Sequence, residues 1–146
     1  MRQAYKQAEM AFDEGEIPVG AIVVVDNQII ARAYNQTEKL KDVTAHAEML
    51  AITSASGFLG AKYLSQCTLY VSLEPCIMCA GAIAWAQVQT LVFGAYDSKK
   101  GFTTYQKQEN STANIQILHP KTNIISGILE KECSEIMRIF FQKLRN

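Results

Sequence analysis

Two short strings constrain this chain more than anything else in it: T-A-H-A-E at 44–48 and E-P-C-I-M-C at 74–79. His46, Cys76 and Cys79 bear nitrogen and sulfur of the kind that binds metal, and Glu48 stands two residues from the imidazole. Thr44 predicts a helix cap, with His46 in the first turn behind it. Pro75 predicts a second helix start, because its missing N–H is one that a first turn leaves unbonded anyway. Cys76 and Cys79 are three apart in that turn, so their sulfurs point the same way. The positive end of each helix dipole favours the thiolate, the form that binds metal. The fold must therefore bring two helix starts, fed by adjacent strands, to one point.

The donor set also predicts chemistry. Three protein ligands leave the fourth tetrahedral position of a zinc ion open for water, whereas a structural site is closed by a fourth side chain. Zinc lowers the pKa of that water toward about 7. Glu48 is in reach of the water without being a ligand, which suits a proton shuttle.

The rest of the pattern reads as one domain over 1–146. Ala4, Ala8, Ala11 and Phe12 recur at helical spacing, so 2–14 is an amphipathic helix stopped by Gly15. Val19–Val25 and Gln28–Tyr34 read as strands joined by an Asp26-Asn27 turn. A helix from Ala45 to Ser56 ends at Gly57. Cys67–Leu73 is a strand, and the Pro75 helix runs to about Ala86. Val88–Ala95 and Asn123–Ser126 are strands, and Leu129–Leu144 is a last helix with Cys133, Ile136, Met137, Phe140 and Leu144 on one face. Residues 97–122 read as a long loop. The order predicts an α/β fold: a three-layer α/β/α sandwich on a five-stranded mixed sheet.

Bulk properties fit. The chain has 146 residues, 49% hydrophobic and 19% charged, which is enough apolar material for a core. No apolar run is long enough for a membrane helix and no signal-peptide pattern opens the chain, so no membrane partner and a cytoplasmic location are expected. Cys67 and Cys133 read as buried small apolar residues. Formal net charge is zero. Yet residues 1–60 hold five Lys/Arg against eight Asp/Glu, and 95–146 hold eight against five. Arg138, Lys143 and Arg145 in the last helix form either a basic face or a solvated helix end.

H-x-E followed by P-C-x-x-C is the zinc nucleobase-deaminase signature. Over nearly its whole length the chain resembles the bacterial tRNA-specific adenosine deaminases of the cytidine-deaminase-like superfamily. The matching strings are E-I-P-V-G-A-I (16–22), A-Y-N (33–35), T-A-H-A-E (44–48), T-L-Y-V-S-L-E-P-C-I-M-C-A-G-A (68–82), V-F-G-A (92–95) with Asp97, and G-I-L with E-C (127–133). The resemblance implies hydrolysis of a tRNA wobble adenosine to inosine, with one zinc per subunit held by His46, Cys76 and Cys79 and with Glu48 catalytic. It implies that Asn35 bonds the target base, that Pro18, Val19 and Ala47 line its pocket, and that Asp97 lies near the flanking nucleotides. It implies a homodimer that binds the anticodon stem-loop. The stretch Lys99–Tyr105 departs from the usual family text.

Read singly, Asn35 is a strand-end turn residue, Asp97 a loop cap, Pro18 a strand entry, and Trp85 a core or dimer contact rather than a stacking platform. Two further readings compete: a deaminase of free bases or nucleosides (guanine, cytosine or a modified purine), and a non-catalytic zinc-stabilised subunit. Glu48 argues against the second, since a structural site has no use for it.

Overall fold

The computed structural model describes residues 1–107 and 115–146. Its elements are α1 (Arg2–Asp13), β1 (Gly20–Val25), β2 (Gln28–Tyr34), α2 (Thr37–Leu40), α3 (Ala47–Leu59), β3 (Thr68–Leu73), α4 (Ile77–Trp85), β4 (Thr90–Ala95), α5 (Phe102–Gln106), β5 (Asn123–Ser126) and α6 (Glu130–Arg145). The sheet runs β2-β1-β3-β4-β5, antiparallel across its first three strands and parallel across β3, β4 and β5. The expected five-stranded mixed sheet is thus present. Helices α1 and α6 cover one face and α3 and α4 the other.

Local chemistry explains the elements. Asp26 and Asn27 both take positive φ (49° and 59°), the turn whose twist matches a tight hairpin. Helix α1 buries Ala4, Ala8 and Ala11. It lies so close to β1 that a Cβ on Gly20 would overlap the Ala4 carbonyl. On the other face Ala47, Ala51 and Ala55 of α3 meet Ala21, Val23 and Val71, while Ala80 and Ile83 of α4 join Leu69, Leu91 and Phe93. The alanines of α3 let its backbone approach the sheet closely.

Several boundaries differ from the sequence reading. Helix α3 begins at Ala47 with His46 as its N-cap. Thr44 is not the cap: its hydroxyl and its backbone N–H both bond Asp42 Oδ1 instead, at 2.7 and 2.8 Å. The helix passes through Gly57 and stops at Gly60, whose φ of 62° is the left-handed cap. Two short helices, α2 and α5, were not expected. Leu129 has φ 56° and precedes α6 rather than opening it, and Leu144 is exposed. Cys67 and Cys133 are buried as expected. Within the expected 97–122 loop, α5 occupies 102–106, Leu118 is buried, and 108–114 lie outside the described residues. Trp85 is 85% exposed, so a core role is excluded. Among the described residues no helix is long and apolar enough to cross a membrane.

Candidate metal centre and cleft

Strand β3 ends at Leu73, and Glu74-Pro75 then leads into α4 with Cys76 as N-cap. His46 caps α3 on the connection that leaves β2, and β1 lies between β2 and β3 in the sheet, so the two helix starts are not fed by adjacent strands as the sequence suggested. Neither side chain makes a helix-capping hydrogen bond, and the two turn toward each other. His46 Nδ1 lies 3.7 Å from Cys76 Sγ and 3.5 Å from Cys79 Sγ. The donor atoms of all three residues fall within 4.8 Å of one another. A tetrahedral ion with nitrogen at about 2.05 Å and sulfur at about 2.3 Å separates those ligand atoms by about 3.6 Å. The observed spacings match, and among the described residues no fourth His, Cys, Asp or Glu joins the group.

The electrostatics suit cation binding. The Cys76 thiol is held down to about 4, first by the hydrogen bond from Cys79 and then by His46. Cys79 is pushed up in turn, because the pair shares one proton and the site is buried. The bond to Cys76 raises His46. Glu48, only 4% exposed, is pushed up to about 7 by burial. Imidazole, thiolate and carboxyl thus share protons in a closed space, an arrangement in which a bound cation would displace them.

The metal group sits at the floor of a cleft of about 670 Å³. Glu48, His46 and Cys76 form the floor, with Val19 and Asn35 on one wall and Tyr96 and Asp97 on the other. Met137, Phe141 and Arg145 of α6 and the loop lysines Lys99 and Lys100 complete the rim. Pro18 and Ala47 are buried, and it is their neighbours Val19 and His46 that reach the cleft. Asp97 acts as a loop cap, its Oδ1 accepting the backbone N–H groups of Lys99 and Lys100 at 3.0 Å, while it also lines the cleft. The expected basic face divides. Arg138 pairs with Glu135, Lys143 lies over the Phe12 ring, and of these three α6 cations Arg145 alone reaches the cleft.

Two buried carboxylates brace the walls, and the sequence reading gave them no role. Glu16 accepts the backbone N–H of Lys39 at 2.7 Å and of Glu38 at 3.2 Å, together with Asn35 Nδ2 at 3.2 Å. Glu74 accepts the N–H of Asp97 and of Thr103, both at 2.9 Å. Each satisfies the start of a short helix, α2 or α5. Each shortly precedes a proline in an apolar stretch, E-I-P and L-E-P, where a carboxylate must find donors to be buried at all.

A profile of the MafB19-like deaminase family matches residues 1–145. The tRNA-specific adenosine deaminase of Aquifex aeolicus is 42% identical, over all of this chain and 94% of its own length. That of Bacillus subtilis is 43% identical, over 99% of this chain and 88% of its own. A solved structure from work on A-to-I editing by tRNA:A34 deaminases superposes with a TM-score of 0.80 at 38% identity, covering 93% of this chain and 96% of the other. Sequence likeness from end to end and a shared fold place this chain in the MafB19-like deaminases, among the tRNA-specific adenosine deaminases.

Proposed function

We propose that the protein hydrolyses the wobble adenosine of a tRNA anticodon to inosine and ammonia. The observation that carries the reading is the buried Glu48 beside an open His46–Cys76–Cys79 group, in a chain similar from end to end to tRNA-specific adenosine deaminases. The donor set fits zinc. When bound, zinc supplies a water acidic enough to attack near neutral pH. His46, Cys76 and Cys79 would hold the ion, their side chains brought together by the starts of α3 and α4. Glu48 takes the proton from the attacking water and passes it to the ring nitrogen beside C6. It then takes the proton of the new C6 hydroxyl and delivers it to the amine, which leaves as ammonia as the C6 carbonyl forms. Asn35 and Val19 hold the base, and Asp97 faces the flanking nucleotide. An atom still stacked in a helix cannot reach this floor, so the base must be turned out of the anticodon loop.

The rim lysines and Arg145 suit the phosphates of an anticodon stem-loop. The enzyme would meet this substrate in the cytoplasm. A homodimer is supported by α4, I-M-C-A-G-A-I-A-W, which has no charged residue and yet exposes Ile77 and Trp85. A helix apolar on all sides is normally covered on all sides.

Zinc-loaded protein incubated with an anticodon stem-loop, and separately with free guanine, adenine and cytosine, tests the reading by mass spectrometry of the products. Inosine in the stem-loop with inert free bases is expected. Turnover of a free base with an unchanged stem-loop would replace the reading with a free-base deaminase.

A further inference from the structure

The wall of the cleft that carries Asn35 is held by a residue that does not itself line the cleft. Glu16 is 2% exposed, and both its oxygens are engaged. Oε1 takes the N–H of Lys39, and Oε2 takes the N–H of Glu38, the Thr37 hydroxyl at 3.3 Å and Asn35 Nδ2. A carboxylate offers acceptors only. Asn35 must therefore turn its nitrogen toward Glu16, because the flipped amide would set oxygen against oxygen in a buried place. The remaining contact of that nitrogen, 3.5 Å to Thr37 Oγ1, points the same way.

Asn35 Oδ1 is left over. Among the described residues no donor bonds it, yet no buried side-chain polar atom lacks a partner. Oδ1 therefore keeps access to solvent, and Asn35 lines the cleft, so that access is from the cleft. The backbone cannot turn to undo this, since Asn35 N–H bonds the Val19 carbonyl at 3.0 Å. Glu14 locks the same corner from outside, bonding Tyr34 at 2.9 Å and Lys39 at 3.1 Å.

We propose that Glu16 is a positioning residue: it pins the Asn35 amide so that the cleft presents Oδ1, an acceptor, to an N–H or O–H donor of the bound nucleoside. The proposal rests on the nucleoside-deaminase reading for its substrate, but the pinning itself does not need it.

A double-mutant cycle tests it. Glu16→Leu removes the carboxylate that holds the Asn35 nitrogen inward, so the amide is free to turn that nitrogen to the cleft. Glu16→Leu is expected to lower kcat/KM on the anticodon stem-loop about ten-fold or more, and Asn35→Ala by a similar amount. Because Glu16 acts through Asn35, Glu16→Leu added to Asn35→Ala is expected to cost less than about two-fold more at unchanged zinc content. Glu16→Leu with wild-type kcat/KM, or an equal loss from it in both backgrounds, overturns the proposal. Exchange of the Asn35 side-chain amide protons in the 15N-labelled wild-type protein is a second readout, needing neither substrate nor a folded variant. One proton is expected to exchange at least ten-fold slower than a free amide; exchange of both at the free rate overturns the pinning. Because no substrate is added, this separates failure of the pinning from failure of the adenosine reading.

Discussion

Glu74 fixes the place of Asp97: its Oε2 accepts the Asp97 backbone N–H at 2.9 Å, while its Oε1 accepts that of Thr103 at the start of α5. One buried carboxylate thus sets the far wall of the cleft, and the carbonyls around it leave no space. A Cβ on Gly101 would overlap the Glu74 carboxyl and stand 2.6 Å from the Asp97 carbonyl oxygen. Gly101 also forms an antiparallel bridge with Cys76, which ties the wall to the metal group.

Gly101→Ala should therefore push the 97–103 segment off its seat. The expected cost is about 1–3 kcal/mol of stability, typical of overpacking against groups that cannot yield. The stem-loop KM should rise more than kcat falls, because the displaced segment carries the rim lysines and not Glu48. Urea unfolding gives the first number and steady-state kinetics the second. A variant with unchanged stability and KM would show that the wall is loose.

Glu48→Gln should separate chemistry from metal binding. The amide keeps the shape but cannot take a proton, so kcat should fall by about 10²–10⁴-fold while zinc stays stoichiometric. Cys79→Ser should lose the metal and, with it, the ion's contribution to folding. Metal analysis beside kinetics distinguishes the two. Near wild-type turnover by the Glu48 variant would end its assignment as proton shuttle.

What could be read from the sequence was whatever obeys a local rule. The apolar run Val19–Val25 with Asp26-Asn27 behind it produces a hairpin in nearly any context, and His46, Cys76 and Cys79 announce themselves by type and spacing. The end of α3 did not follow from local rules. Gly57 faces open space, so the helix continues through it at a small propensity cost, whereas Gly60 holds the positive φ. The bracing roles of Glu16 and Glu74 were hidden for a different reason. Half of their partners are backbone N–H groups of α2 and α5, four- and five-residue helices too short to show a period. Arg138 and Lys143 looked like part of a basic face until their partners Glu135 and Phe12 were in view.

Trp85 gives a test of the proposed dimer. Ile77, Gly81 and Trp85 follow at i, i+4 and i+8 along one side of α4, while Cys79, Ala80 and Ile83 are buried against the sheet. Trp85→Lys puts a charge on the exposed side and removes nothing from the core. It should shift sedimentation from dimer to monomer at micromolar protein and leave the metal content unchanged. If Trp85→Lys sediments as the wild type does, α4 is not the interface.

Cys133 gives a test of the other face of the sheet. It is buried on the inner side of α6 against Gly94 of β4, where an added Cβ would stand 2.6 Å from its sulfur. Burial, and then the charge of Glu132, push its thiol up from 9.0 to about 11. The folded state therefore holds this proton more tightly than the unfolded chain does. The resulting stabilisation is fully present below pH 9 and is lost as pH climbs from about 9 to about 11. It amounts to at most about 2–3 kcal/mol. Denaturant midpoints at pH 8 and pH 10.5 should fall further for the wild type than for Cys133→Ala, which has no thiol to ionise. Parallel declines in the two proteins would mean that the thiol is not held in its neutral form by the fold.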